Sequence, residues 1–200
     1  MENVEANLRL LANGLGFDPK ALVLTRQTHS DIVRVVTKAD HQGFCHREYP
    51  ECDALCTDDP GTALLVFTAD CTPILFYDPV TGAVGAAHAG WRGTAAGIAG
   101  KVVETMTAAF GTDPADLRCA IGPNVGICHF ETDADVPEAM LAAFGDDAAP
   151  YISKTGEKYH LDLKAINAMV LRRAGVTHIE ISGECTMCQS QRFWSHRVTQ

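Results

Sequence analysis

Apolar residues follow two different spacings along this chain. Val4, Leu8, Leu11 and Leu15 recur at the interval of one helix face, which predicts an amphipathic helix at the N-terminus. Further along, apolar residues gather in short runs that have the length and residue types of β-strands. These runs cover residues 21–25, 32–36, 53–57, 63–68, 73–78, 83–89, 117–123 and 177–182.

Turn-forming residues and helical patterns separate these runs. The gaps that contain Asp-Pro-Gly and Pro-Val-Thr-Gly predict tight turns, and therefore antiparallel pairing of 53–57 with 63–68 and of 73–78 with 83–89. Helices are predicted at 93–111, 133–144 and 162–174. Thr94 and Gly111 are expected to begin and end the first, and Asp162 and Gly175 the third. The order of elements predicts an α+β fold with mixed, largely antiparallel β-sheets packed with helices, in one domain over residues 1–200.

Composition and charge narrow the class of protein. The chain is 46% hydrophobic and 20% charged, as is usual for a globular protein. Its net charge of −9 argues against a nucleic-acid groove, and it has no apolar run of about 18 residues that would span a membrane. Glu2 and Glu5 stand where a signal peptide would carry basic residues, so we expect a cytoplasmic protein. The eight cysteines are then expected to be free thiols rather than disulfides.

Two strand ends bring together residues that bind metals. Cys71 and His88 bracket a hairpin whose turn lies near 79–82, so both are expected at its open end. His29, from a turn between two earlier strands, would complete a His-Cys-His set. Three ligands with an open fourth position are the arrangement of a catalytic zinc site, and copper also accepts thiolate with imidazole. Taken singly, each residue has a simpler explanation, as a core cysteine or a solvated histidine.

The segment GWRGTAAG after His88 suggests an anion site. Small residues and Arg92 stand at the predicted start of a helix, where free N–H groups and a guanidinium bind phosphate. The alternatives are that Gly90 and Gly93 only turn the chain, and that Arg92 pairs with Asp70 or another carboxylate and only supports the turn.

The remaining cysteines give a weaker signal. One pair has C-x-x-C spacing and another has C-x-x-x-C spacing, and four thiolates would hold a structural zinc ion if the pairs met. These pairs are Cys185 with Cys188, and Cys52 with Cys56. Cys45, Cys119 and Cys128 are expected to be ordinary buried or surface thiols.

Five segments together resemble a known family, the YfiH-like or laccase-domain proteins, also called polyphenol oxidoreductases or peptidoglycan editing factors. The segments are QTHSDIV, CDALCTDDPGTALLVFTADCTPILFYDP, GAVGAAHAGWRGTAAGI, AIGPNVGICHFE and CTMCQSQRFWSHR. The resemblance implies an α+β fold with mixed sheets, related to a bacterial toxin deamidase. It also implies a metal site made of His29, Cys71 and His88.

The resemblance further implies a zinc-dependent purine nucleoside phosphorylase with adenosine deaminase activity, acting on adenosine, inosine, guanosine and methylthioadenosine. Its partners would be purine nucleosides and phosphate. Asp70 is then a candidate for proton transfer or for orienting the site. The candidate substrate-binding residues are Gln27, Arg26, Arg92, Ser195 and Arg197.

Two other functions stay open at this point. The family's older name implies a copper-binding phenol oxidase, but the chain has eight histidines and no H-x-H pair, the pattern that supplies a trinuclear copper cluster. The other is a cysteine hydrolase that edits peptidoglycan precursors, with Cys71 as the nucleophile and His88 as the base.

The chain also departs from the family pattern. We expect it to lack the family's N-terminal segment, with its GGVS…SLNL-like motif, and its basic C-terminal tail. The usual Q-V-H-G is Q-T-H-S here, and His129 stands where an aromatic residue is usual.

Overall fold

A computed structural model describes residues 2–43 and 49–199, so Cys45 lies outside the described residues. The helices are α1 Glu2–Leu15, α2 Trp91–Ala95, α3 Ile98–Phe110, α4 Asp135–Phe144, α5 Leu163–Arg173 and α6 His196–Thr199. The strands are β1 Leu22–Leu24, β2 Val33–Val35, β3 Ala54–Thr57, β4 Ala63–Leu65, β5 Thr72–Tyr77, β6 Val84–Ala89, β7 Arg118–Ile121, β8 Glu131–Thr132, β9 Ile152–Thr155, β10 Lys158–Leu161 and β11 His178–Ile181. No helix in this part of the chain is long and apolar enough to cross a membrane.

A six-stranded mixed sheet in the order β11-β7-β5-β6-β3-β2 forms the centre of the fold. The central pairs β5–β6, β5–β7 and β3–β6 are antiparallel, whereas β2–β3 and β7–β11 are parallel. The predicted α+β class with mixed sheets is therefore confirmed. The predicted pairing of 53–57 with 63–68 is wrong, because β4 instead pairs in parallel with β1.

The hairpin β5–β6 is confirmed and sets the position of the candidate metal ligands. Its turn is closed by the Asp78 amide, which donates to the Ala83 carbonyl at 2.9 Å. Thr72 lies opposite Ala89 in the register. Cys71, which directly precedes Thr72, is therefore at the same open end as His88, as the sequence predicts.

Helix α3 covers one face of this sheet. Its buried residues Ile98, Val102 and Met106 belong to the main hydrophobic core together with Ile74 and Ala87. On the other face Leu75 and Tyr77 are 56% and 46% exposed. The strand β5 thus alternates between a packed side and an open side, as expected for an antiparallel pair.

The helix predicted at 93–111 is interrupted. It forms as α2 and α3, separated by Gly97, which takes a left-handed conformation with φ 77°. Thr94 does not cap a helix, because it lies inside α2 and its hydroxyl accepts a hydrogen bond from the Asn167 side chain at 2.9 Å. The predicted end at Gly111 is confirmed by its left-handed φ of 71°.

The other predicted helices are present, and the structure also contains a small sheet that the sequence did not predict. α1, α4 and α5 are present, and the Asp162 side chain caps α5 by accepting from the Ala165 amide at 3.0 Å. The apolar face of α1 remains largely exposed, with Leu15 at 70%. The three-stranded sheet β8-β10-β9 was not predicted, because its strands are short and mostly polar.

Candidate metal centre

His29, Cys71 and His88 converge at the open end of the hairpin. Each offers one ligand atom, and these atoms lie within 4.8 Å of one another. The His29 Nε2 atom is 3.8 Å from the Cys71 Sγ atom, and the rings of His29 and His88 meet edge to face with centroids 4.9 Å apart. His88 is buried and His29 is exposed, so the cluster opens to solvent on the side of His29. One thiol and two imidazoles are a donor set suited to a metal ion such as zinc or copper.

The carboxylate of Asp53 holds the two histidine-bearing segments together. It is fully buried, and it accepts hydrogen bonds from the backbone amides of Thr28, His29 and Ser30 at 3.1, 3.1 and 2.8 Å. The hydroxyl of Ser30 and the Nδ1 atom of His88 also donate to it, both at 2.7 Å. Burial alone would raise the pKa of Asp53, but these hydrogen bonds outweigh burial and lower it. Asp53 is therefore an ionised anchor within the core.

This anchor fixes the chemical form of His88. A proton on Nδ1 is held by the Asp53 carboxylate, which leaves the lone pair of Nε2 available to a metal ion. Burial lowers the pKa of His88 against the opposing effect of Asp53, which favours the neutral imidazole that binds metals. Sequence reasoning missed Asp53. The available signal was an acidic residue placed immediately before the buried run 54–57.

Gly90 leaves room for two of the three ligands. A Cβ atom added at this position would lie 2.6 Å from the His29 Cδ2 atom and 3.3 Å from the Cys71 Sγ atom. The backbone of Gly90 has an ordinary φ of −68°, so space rather than conformation requires glycine here. Gly90, two residues after His88, thus leaves the space that the His29 and Cys71 side chains occupy.

Asp70, directly before Cys71, is buried and has both carboxylate oxygens engaged. It accepts from the hydroxyls of Thr186 and Ser195 at 2.6 and 3.1 Å and from the backbone amide of Arg197 at 2.8 Å. Its φ of 77° is left-handed, so these contacts also hold a backbone conformation that aspartate seldom adopts. The geometry favours a positioning role for Asp70 and Ser195 over proton transfer.

The thiol of Cys71 is not acidic in this environment. Burial raises its pKa to about 11, and the negative charges of Asp70 and Asp53 add to this effect. A bound cation would reverse the balance, because metal ions bind the thiolate and displace its proton.

The predicted substrate-binding side chains do not gather at one point. Arg26 forms an ion pair with Glu51, and Gln27 fastens its loop to the backbone of Phe67 through contacts of 2.7 and 2.8 Å. The guanidinium of Arg197 donates to the carbonyls of His129 and Glu131. Arg92 is exposed and stacks over Trp91, with Cζ 4.2 Å from the ring centroid. It has no carboxylate partner within residues 2–43 and 49–199, so its predicted pairing with Asp70 does not form.

The predicted four-cysteine cluster does not form either. Cys52 and Cys56 are fully buried at and next to β3. Cys185 and Cys188 instead lie beside Cys128 and His129. Cys128 is therefore not the ordinary thiol that was expected, whereas Cys119 is a plain buried thiol. The seven cysteines in the described ranges are free, as predicted.

A cavity of about 800 Å³ lies over the open face of the central sheet, away from these groups. Leu64, Leu75, Tyr77 and His178 line it, and none of the three candidate metal ligands does. The chemistry-bearing groups therefore belong to the hairpin end and not to this cavity.

Comparison with known proteins places the chain in a family. The sequence model of the family described as "Multi-copper polyphenol oxidoreductase laccase" matches residues 1–200. The chain is 39% identical over 202 residues to the purine nucleoside phosphorylase YlmD of Geobacillus stearothermophilus, covering 98% of this chain and 73% of that protein. It is 36% identical over 207 residues to the purine nucleoside phosphorylase of Bacteroides thetaiotaomicron, covering 98% of this chain and 75% of that protein.

A solved structure agrees with the sequence comparison. The crystal structure of the Bacillus licheniformis hypothetical protein YfiH superposes with a TM-score of 0.87 at 37% identity, covering 94% of this chain and 72% of that one. Its fold is the one described above, and it bears the family name that the sequence motifs indicated. The chain therefore belongs to the multi-copper polyphenol oxidoreductase laccase family, within its YfiH-like proteins.

Proposed function

We propose that this chain is a purine nucleoside phosphorylase that depends on a metal ion, zinc, held by His29, Cys71 and His88. The observation that carries the proposal is the convergence of these three side chains on one point. Asp53 supports this arrangement by accepting hydrogen bonds from the His29 amide and from the His88 ring. Curated relatives that are 39% and 36% identical to the chain over the aligned residues are named purine nucleoside phosphorylases. When bound, zinc supplies a Lewis acid that polarises substrate or water in the site.

The residues of this chain prepare that site before any metal arrives. Asp53 holds the Nδ1–H tautomer of His88 and the backbone of His29, so the His88 ring and the position of the His29 main chain are set before binding. Three protein ligands are the number that catalytic zinc sites use, and they leave a position for the reacting group. Exposed His29 borders the side from which a nucleoside would enter.

Phosphorolysis also requires a place for phosphate. In this reaction the bond from the sugar C1′ atom to the purine nitrogen breaks, a bond from C1′ to a phosphate oxygen forms, and the purine leaves with a proton. With a net charge of −9, the protein must hold the anion through a local cation. Arg92 fits this role, because it is exposed, lies four residues after His88 and has its guanidinium over the Trp91 ring. The helix start contributes less than the sequence suggests, since α2 begins at Trp91 and has five residues.

The same centre would serve adenosine deamination, in which water attacks C6 of adenine, the bond from C6 to the exocyclic amine breaks, and ammonia leaves with inosine as the other product; this reaction needs no phosphate. Adenosine, inosine, guanosine and methylthioadenosine are the substrates that we assign to the site. The two reactions differ in their need for an anion site, and this difference separates the role of Arg92 from that of the metal ligands.

Copper oxidase chemistry, which the family's descriptive name suggests, fits this ligand set less well. The His29–Cys71–His88 group would hold a single ion. Reduction of oxygen to water requires four electrons and hence several copper ions in contact. The other ligand cluster in the described ranges contains one histidine, so neither resembles a multinuclear copper centre.

A metal-free cysteine hydrolase also fits less well. The hydrogen bond from His88 Nδ1 to Asp53 would suit a general base, but the ring nitrogen in contact with the Cys71 sulfur belongs to His29 and not to His88. With a pKa of about 11, the thiol would be protonated at neutral pH.

Cys71→Ser tests the metal site. We expect the variant to contain one metal ion fewer per chain than the wild type by elemental analysis, because serine is a poor zinc ligand. Phosphorolysis of inosine should fall by more than about 100-fold. Cys119→Ser, at a buried thiol outside both ligand clusters, is the matched control and should keep the wild-type metal content. Equal metal content in the two variants would refute the assignment.

Gly90→Ala tests the packing around the ligands. The added methyl group would overlap the His29 ring, so we expect metal affinity to fall while the backbone accepts alanine without strain. Gly183→Ala is the control, since nothing lies within 4 Å of its added Cβ atom. Titration with zinc in the presence of a competing chelator gives the comparison. Unchanged affinity in Gly90→Ala would show that His29 does not bind the metal in the position described.

Arg92→Lys tests the phosphate assignment. Lysine keeps the charge but loses the bidentate donor and the guanidinium contact with the Trp91 ring, so the apparent KM for phosphate should rise by about tenfold. Metal content should be unchanged, and adenosine deamination should fall less than phosphorolysis. If both activities fall equally while the metal stays bound, Arg92 positions the whole site and does not bind phosphate.

A further inference from the structure

A second group of potential metal ligands lies outside the centre described above. Cys128 and His129 lie in the turn between β7 and β8, and Cys185 and Cys188 follow β11. Their ligand atoms all lie within 4.8 Å of one another. Two segments far apart in sequence thus supply four side chains to one point. We propose that Cys128, His129, Cys185 and Cys188 bind a structural zinc ion.

The distances among these atoms match a four-coordinate site. With Zn–S near 2.3 Å and Zn–N near 2.0–2.1 Å, the edges of a tetrahedron are about 3.8 Å between sulfurs and about 3.6 Å between sulfur and nitrogen. The Nδ1 atom of His129 lies 3.2, 3.4 and 3.7 Å from the sulfurs of Cys128, Cys188 and Cys185. The sulfurs of Cys128 and Cys188 are 3.7 Å apart.

Neither hydrogen bonding nor a disulfide accounts for this arrangement as well as a metal ion does. One imidazole nitrogen has a single proton or a single lone pair, so it cannot satisfy three sulfur atoms at once. A disulfide would bring two sulfurs to about 2.05 Å and leave the remaining cysteine and His129 unexplained. A cation at the centre accounts for all four side chains.

The backbone around the cluster suits thiolates. The Gly126 amide donates to the Cys185 sulfur at 3.2 Å. A Cβ atom at Gly126 would lie only 3.2 Å from the Cys185 Cβ atom and 3.3 Å from the Cys128 sulfur, so glycine lets the two segments approach. The guanidinium of Arg197 donates to the carbonyl of His129 and places a positive charge beside a site with three thiolates. These contacts offset the excess negative charge.

Four protein ligands leave no open coordination position, which is typical of a structural rather than a catalytic zinc site.

The position of the proposed zinc ion indicates which parts of the fold it would stabilise. Cys185 pairs with Asn124 through a parallel bridge, and Thr186, the next residue, donates to Asp70 beside Cys71. The ion would clamp the C-terminal segment that supplies Thr186, Ser195 and Arg197 to Asp70. Cys128 and Cys188 are exposed, so a chelator has access to the ion.

Elemental analysis of the full chain, purified without chelator from zinc-supplemented cells, tests the proposal. We expect two zinc ions per chain in the wild type and in Cys119→Ser, one in Cys71→Ser, one in Cys188→Ser, and none in the double variant Cys71→Ser/Cys188→Ser. The proposal does not depend on the proposed function. If Cys71→Ser loses zinc and Cys188→Ser does not, only the second site is overturned. If Cys188→Ser loses zinc and Cys71→Ser does not, only the first site is overturned.

Cobalt(II) titration supplies a readout that does not require Cys188→Ser to fold. In the Cys71→Ser protein, stripped of metal and titrated with one equivalent of Co²⁺, we expect the strong visible bands of a tetrahedral ion and near-ultraviolet thiolate charge transfer. Weak bands typical of six-coordinate cobalt, or a thiol count showing that Cys128 and Cys188 are joined in a disulfide in the protein purified under reducing conditions, would overturn the proposal.

Discussion

The carboxylate of Asp53 is the group on which the candidate centre depends. It is fully buried, yet it accepts five hydrogen bonds, from the backbone and hydroxyl of the 28–30 loop and from the ring of His88. A buried charge without such donors would destabilise the fold. The folding of the 28–30 loop onto the hairpin therefore both satisfies Asp53 and delivers His29 to Cys71 and His88.

A second buried carboxylate plays a similar part on the other side of Cys71. Asp70 ties the start of β5 to residues from the C-terminal segment, through Thr186, Ser195 and Arg197. The Cys128–His129–Cys185–Cys188 cluster joins the same C-terminal segment to the turn between β7 and β8. Cys71 is thus held by contacts that span more than a hundred residues of sequence, and a metal in that cluster would stabilise them.

The sequence predicted the parts of the site that depend on local pattern. The two apolar runs 73–78 and 83–89, with turn-forming residues between them, were enough to place Cys71 and His88 at one end of a hairpin. The role of Asp53 was missed because it arises from pairing between distant segments, such as the parallel contact of β2 with β3. Thr94 was assigned to a helix start by residue type alone, and its actual partner is Asn167, which sequence reading could not identify. For the same reason Cys185 and Cys188 were matched with the wrong cysteines.

Zinc affinity in the Asp53→Asn variant tests this account most directly. Asparagine has the same shape, but it removes the negative charge and turns an amide N–H₂ group toward either His88 or the amides of the 28–30 loop. Measured by calorimetry in a Cys188→Ser background, with circular dichroism confirming the fold, zinc affinity should fall by about 10- to 100-fold. An affinity equal to that of the Cys188→Ser parent would contradict the claim that Asp53 prepares His29 and His88 to bind the metal.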